Sequence, residues 1–231
     1  MRYQAVLFDM DGTVLDTLGD LANAVNHTLR AFGMPEHSRR ECAGFLGNGA
    51  GWLIAHAVPA GTSEEKTAEV LAAYKPWYDS HCAIETAPYP GVTGMMERLK
   101  AAGVRQAVIS NKQDSAVRLL AEQHFPGLLE IAVGESARVR RKPNPDAVLE
   151  ALRHMGVSPE DAIYVGDTEV DVQTAENAGL ACAVVGWGFR TEEELREVWT
   201  GHIFQSAGEL CAWLLEDRDG SERGETNGQR F

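Results

Sequence analysis

The stretch Ala5-Val6-Leu7-Phe8-Asp9-Met10-Asp11-Gly12-Thr13 constrains this chain more than any other. Four apolar residues run directly into an acidic pair. So short an apolar run suits a strand buried on both faces, as in a parallel sheet. Asp9 then falls at the carboxyl end of the strand, where open parallel sheets place their ligands. Asp11 opens the following loop, and Gly12 lets that loop turn tightly. Two carboxylates so placed can hold a divalent cation, or divide nucleophilic attack and proton handling between them. An ordinary Asp-x-Asp-Gly turn is the other reading of the same residues.

Charge narrows the partners. The chain has 231 residues and a formal net charge of −13, which argues against nucleic acid, whose binding needs clustered positive charge. An anionic substrate would meet a repulsive field, so a phosphate site would need a metal ion and local lysine or arginine. Cys42, Cys82, Cys182 and Cys211 form no CxxC pair and give no zinc spacing. No signal segment or membrane-spanning run is visible, which sets the expectation of a reduced, cytoplasmic protein.

After Asp16 the pattern turns helical. Leu18, Leu21, Ala22, Val25, Leu29 and Phe32 keep the spacing of an amphipathic helix that Gly33 ends. A second helix is expected over Arg39 to Leu46, then a glycine-rich turn, Gly47-Asn48-Gly49-Ala50-Gly51. That turn reads either as a loop facing ligand or as a helix connector. A short helix over Trp52 to Val58 follows, and the Thr62-Ser63-Glu64-Glu65 capping box starts another through Tyr74. Pro76 should kink or break it. Trp77 and Tyr78 read as packing residues, and His27, His56 and His81 as surface or interface residues. No strand signal falls between Asp16 and Ile84, so residues 16–85 are expected to form an inserted helical cap.

From Pro88-Tyr89-Pro90-Gly91 onward, strands and helices alternate. Strands are expected over Val104 to Ile109, Glu130 to Val133, Ala162 to Val165 and Ala181 to Val185, with an edge strand near His202 to Phe204. Helices are expected over 92–102, 114–124 and 146–155, up to Ala178, from Thr191, and near 209–215. This alternation gives an α/β, doubly wound, Rossmann-like parallel sheet built from residues 1–15 and 86–215. Residues 216–231 are expected to form a flexible tail. Arg138, Arg140, Arg141 and Lys142 are the densest basic run, the arginines reading as a solvated face.

In such a sheet Asp9/Asp11, Ser110/Asn111 and Asp167/Asp171 converge on one edge, with Lys142 beside them. A nucleophile, a second carboxylate, a hydroxyl, a cation and an acidic pair are the parts phosphoryl transfer requires. Taken singly, Asp171 also suits a helix start and Ser110 a helix cap.

Asp9-Met10-Asp11-Gly12-Thr13, Ser110-Asn111, Lys142-Pro143 and Gly166-Asp167 with Asp171 resemble, in order, the four motifs of the haloacid dehalogenase superfamily. The resemblance covers residues 3–215, and the helical insertion is similar to the superfamily's smaller cap type. It implies a phosphatase in which Asp9 attacks phosphorus to give an aspartyl-phosphate and Asp11 serves as acid, then base. It implies that Gly12, Ser110, Asn111 and Lys142 hold the phosphoryl group. It implies Mg²⁺ on Asp9, Asp11 and Asp167, with Asp171 either a ligand or an orienter of Lys142.

Asp11 sets the chain apart from the superfamily's dehalogenases and phosphonate hydrolases. Leu21, where β-phosphoglucomutases carry a histidine, sets it apart from those. Leu46 to Ala50, Pro88 to Val92, Ser110 to Lys112 and Trp187 to Arg190 resemble the phosphoglycolate phosphatase branch. That implies a small phosphorylated metabolite as partner, contacted through Gly47, Asn48, Gly49 and Arg190, with Lys112, Arg190 or a cap N–H meeting its carboxylate. Pyrophosphate, sugar or nucleotide phosphates and a phosphate-binding regulatory protein stay open, as does the choice between monomer and homodimer.

Overall fold

The computed structural model describes residues 2–137 and 139–216. β1 (Ala5–Phe8) and a two-residue β2 (Leu15–Asp16) are followed by four helices: α1 (Leu18–Ala31), α2 (Arg39–Gly44), α3 (Gly49–Ala57) and α4 (Glu64–His81). β3 (Ala87–Pro88) returns antiparallel to β2, so the helical segment leaves and rejoins the chain at one place. The remainder runs α5 (Val92–Ala101), β4 (Arg105–Gln113), α6 (Asp114–His124), β5 (Ile131–Glu135), α7 (Asp146–Met155) and β6 (Ala162–Gly166). It closes with α8 (Glu169–Ala178), β7 (Ala181–Val185), α9 (Glu192–Val198), β8 (Ile203–Phe204) and α10 (Ala207–Leu215).

Six strands form one parallel sheet in the order β5-β4-β1-β6-β7-β8. Strand alternation divides the apolar residues between its two faces. Val6, Phe8, Val108, Ile163 and Val165 pack against α5, α6 and α10, while Ala5, Leu7, Ala107, Ala162 and Tyr164 pack against α7 and α8. This is the doubly wound arrangement the alternation of elements implies. The strand order reverses beside β1, so the crevice at the carboxyl ends of β1 and β6 is the switch point where such sheets bind ligands.

The helical segment departs from the expectations in four places. α4 continues through Pro76. The ring removes one helical hydrogen bond, a penalty of about 3 kcal/mol. Tyr74 and Tyr78 on either side are nearly fully buried and stack at 5.6 Å, and this packing holds the helix together. α3 begins at Gly49, inside the glycine-rich segment. The cap of α4 is Ser63, whose Oγ accepts from Lys66 N, while Thr62 Oγ1 donates to Pro59 O. β2 and β3 are strands where none was expected, being too short to leave a periodic signal. Elsewhere β4 and β5 each extend past their expected ends, β4 to Gln113 and β5 to Glu135. The expected tail beyond residue 216, and Arg138, lie outside the described residues.

Buried Asp20, in the first turn of α1, ties that helix to the linker that returns to the sheet. Its carboxylate accepts hydrogen bonds from Ile84 N (3.0 Å), Glu85 N (2.9 Å), Thr86 N (2.9 Å) and Thr86 Oγ1 (2.8 Å). α1–α4 then lie over the carboxyl edge of the sheet, and apolar packing runs without a break from Val25 and Leu29 to Phe8 and Met10.

Candidate active site

Asp9 follows β1 and Asp167 follows β6, on adjacent strands at the switch point. The Met10 carbonyl accepts from Val14 N (3.1 Å) and Leu15 N (3.0 Å), which folds the intervening loop tightly. Gly12 has φ +84°, and a Cβ there would lie 2.3 Å from Asp167 Oδ2. A Cβ on Gly188 would lie 2.2 Å from the same oxygen. Asp167 thus sits between two glycines that only a missing side chain makes room for. Thr13 Oγ1 donates to its Oδ1 (2.9 Å) and Phe189 N to its Oδ2 (2.8 Å).

Lys142 lies between two of the acids. Its ammonium is 2.8 Å from Asp9 Oδ1 and 2.7 Å from Asp171 Oδ1, and it donates to the Tyr164 hydroxyl at 3.1 Å. Tyr164 in turn donates to Ile109 O (2.8 Å). Asp171 Oδ2 accepts from Asp167 N, Thr168 N and Thr168 Oγ1. Asp171 is therefore both a first-turn residue of α8 and an ion-pair partner of Lys142. The Lys142–Pro143 peptide is cis. Asn111 fixes the backbone at this point: its Oδ1 accepts from Lys142 N (2.7 Å), and its Nδ2 donates to Lys142 O and Gly47 O (both 3.0 Å).

The buried charge does not balance within the chain. Asp9, Asp167 and Asp171 bring ligand oxygens within 4.8 Å of one another, against the single ammonium of Lys142. Burial pushes the Asp9 carboxyl up to about 7 despite Lys142, with Asp171 and Asp11 adding to the shift. Burial, Asp171 and Asp9 likewise push Asp167 well above the carboxylate range. Burial opposes the Lys142 charge, but Asp171 and Asp9 outweigh it and hold Lys142 protonated. Asp9 Oδ1 is buried and receives no aligned hydrogen bond. An oxygen-only donor set and buried negative charge in excess of the one ammonium fit a hard divalent cation. Asp171, with three donors on one oxygen and Lys142 on the other, is the least able of the three to ligate.

Asp11 and Asp9 both line a cavity of about 50 Å³ between the sheet edge and the helices. Asp9, Asp11, Ser110, Asn111, Lys112 and Gln113 line its floor. Leu21, Leu46, Gly47, Gly49, Ala50, Leu53, Tyr74 and Tyr78 form its roof. Lys112 Nζ bonds both Asp11 oxygens (2.7 and 3.0 Å) and donates to the Tyr78 hydroxyl. Ser110 does not cap α6, which starts at Asp114; its Oγ accepts from Lys112 N (3.3 Å).

Of the residues assigned to the roof, Gly47 and Gly49 line the cavity. Asn48 and Arg190 are not among its lining residues. Asn48 O accepts from Arg141 Nη1 (3.1 Å). Arg190 pairs with Glu169 and donates to Ala43 O (3.2 Å) and Leu46 O (3.0 Å), so it ties the α2–α3 segment to the core. Tyr78, read as packing, reaches the site through its hydroxyl. Its spacing from Tyr74 marks a shared helix face but not which end meets the cavity. Tyr164, Thr168 and Thr13 were given no role from sequence. His27 and His81 stack on Trp77, and His56 on Trp52, and none of the three lines the cavity.

Acids at adjacent strand ends, a lysine between them and a helical roof define a class that comparison with known proteins identifies. The profile of the haloacid dehalogenase-like hydrolases matches residues 6–185, and the chain belongs to that family. It is similar to phosphoglycolate phosphatase 1 of Pseudomonas aeruginosa, 36% identical over 199 residues, covering 83% of this chain and 72% of the relative. It is 30% identical to the phosphoglycolate phosphatase of Aquifex aeolicus, over 80% of this chain and 86% of that one. Among solved structures, a candidate phosphoglycolate phosphatase from Lactobacillus delbrueckii subsp. bulgaricus superposes with a TM-score of 0.89 at 34% identity, over 94% of this chain and all of that one. CbbY from Rhodobacter sphaeroides, in complex with xylulose-1,5-bisphosphate, superposes with a TM-score of 0.74 at 26% identity, over 90% and 96% of the two chains.

Proposed function

We propose that this hydrolase is a Mg²⁺-dependent phosphomonoesterase that cleaves 2-phosphoglycolate to glycolate and phosphate. The observation that carries the reaction type is the placement of Asp9, Asp11, Lys142 and Asp167 around one strand-end crevice, with Asp9 buried beside a lysine. Asp9 attacks phosphorus and forms the aspartyl-phosphate. Lys142 draws Asp9 toward its anionic form against the burial that raises its pKa, and neutralises charge on the transferring oxygens. Asp11, on the cavity side, protonates the leaving oxygen and then activates water. Ser110 and the Asn111 backbone cradle the phosphoryl group, while Gly12, at φ +84°, leaves room for Asp167. Mg²⁺ would be held by Asp9, Asp167 and the Asp11 backbone, and it supplies charge neutralisation at phosphorus. Asp171 orients Lys142.

The substrate reading rests on the relatives' names and on the cavity. A space of about 50 Å³ holds roughly three to five waters. That favours a two-carbon ester over a sugar phosphate or nucleotide while the roof is closed. The apolar roof excludes competing water, and α1–α4 act as a cap that opens to admit substrate. No helix among the described residues is long and apolar enough to cross a membrane.

The test is phosphate release from 2-phosphoglycolate, pyrophosphate, sugar phosphates and nucleotides, with and without Mg²⁺. Strong preference for 2-phosphoglycolate, lost in Asp9→Asn and without metal, is the expected result. Broad, weak, metal-dependent activity would refute the substrate. No turnover at all would favour a regulatory phosphate-binding protein.

A further inference from the structure

We infer that Lys112 is the residue that recognises the substrate's carboxylate, and that it does so by exchanging Asp11 for that carboxylate. The inference rests on the substrate reading above and deepens it. The Lys112 side chain is 2% exposed. Its ammonium has three partners: the two Asp11 oxygens and the Tyr78 hydroxyl on α4. A buried lysine clasping both oxygens of a carboxylate is already arranged as a carboxylate site.

The neighbouring cations are committed elsewhere. Lys142 is held by Asp9, Asp171 and Tyr164. Arg190 is held by Glu169 and the carbonyls of Ala43 and Leu46. Arg141 donates to Asn48 O and lies 3.6 Å from Glu135. The roof offers Leu21, Leu46, Ala50 and Leu53 to the leaving group and, among the described residues, no cationic side chain. A carboxylate on the leaving group therefore has Lys112 as its cationic partner in the cavity. Asp11, bound at both oxygens, cannot turn toward the leaving oxygen until Lys112 releases it. A substrate carboxylate replaces Asp11 on the ammonium in kind, and Tyr78 keeps Lys112 in place during the exchange. A substrate without a carboxylate would leave Lys112 paired with Asp11.

The readout is a selectivity ratio: kcat/KM on 2-phosphoglycolate over kcat/KM on ethyl phosphate, measured on the Mg²⁺-loaded full chain. The wild-type ratio is expected at about 100 or more, because a buried polar group rejects a ligand that leaves it unmatched. Lys112→Met and Lys112→Gln should each bring the ratio to near one, whatever their separate effect on ethyl phosphate. A ratio unchanged from wild type would overturn the inference and leave Lys112 acting only through Asp11. Calorimetric binding of both esters in an Asp9→Asn background, with and without Lys112→Met, reads recognition in the absence of turnover. A selective loss of 2-phosphoglycolate affinity supports the inference, and an equal loss for both esters overturns it. The homologue one methylene longer separates this inference from the substrate reading. Preference for that homologue, collapsing in Lys112→Met, would refute 2-phosphoglycolate as substrate and support Lys112. A wild-type enzyme indifferent to either carboxylate would refute both.

Discussion

Replacing Asp20 by alanine tests how the roof is attached. Asp20 is 2% exposed and accepts four hydrogen bonds from the returning linker, with no part in the proposed chemistry. A buried hydrogen bond to a charged group contributes about 1.5–3 kcal/mol, less where water can replace it. Two of the donors belong to Thr86, which is buried, whereas Ile84 is 70% exposed. Counting the Thr86 bonds at about 1.5 kcal/mol each and the others at a few tenths gives a loss of about 3–4 kcal/mol. At about 2–4 °C per kcal/mol for a chain of this size, Tm should fall by about 10 °C. Asp20→Asn keeps the shape and one acceptor oxygen, so about half that loss is expected. Thermal and urea denaturation of the three proteins measure it. An Asp20→Ala protein within about 2 °C of wild type would refute the reasoning.

Two further predictions concern the acids. Gly188→Ala places a methyl group against Asp167 without requiring positive φ, so it should displace that carboxylate and disturb its bonds to Thr13 and Phe189. The Mg²⁺ concentration for half-maximal activity should rise about tenfold or more, and an unchanged metal titration would rule Asp167 out as a ligand. The second concerns pH. The Asp9 pKa stands at about 7 in the folded protein, against about 3.9 for a free aspartate. Between those values the folded state holds the extra proton, so Asp9's contribution to metal-free stability falls as pH rises through that window. Relative to Asp9→Asn, wild type without metal should lose stability from about pH 4 to pH 7, and added Mg²⁺ should restore more of it at higher pH. Parallel stability curves for the two proteins would contradict this.

What the sequence made legible was what local chemistry decides. Asp9 could be placed because an apolar run meets a carboxylate at one point, and β6 ends the same way at Asp167. Alternating runs gave the strand ends, and an ordered set of such ends implied one shared edge. Less visible was whatever depended on tertiary neighbours. Pro76 marks a helix break by its own chemistry, yet burial of Tyr74 and Tyr78 overrides it. β2 and β3 are strands only because each finds the other. Arg190 looks like an anion-binding arginine until Glu169 and two roof carbonyls are found on it. Tyr78 has the spacing of a core residue and is one, except at its hydroxyl.

The account's central claim is that Asp9 carries the phosphoryl group. The direct measurement is acid-quenched peptide mass spectrometry of Asp11→Asn during turnover of a small phosphate compound whose leaving group needs no protonation, such as acetyl phosphate. The account predicts one phosphoryl group on the peptide holding Asp9, absent when Asp9→Asn is added. Phosphate release with no labelled Asp9 peptide, or a phosphoryl group on another residue, would contradict it.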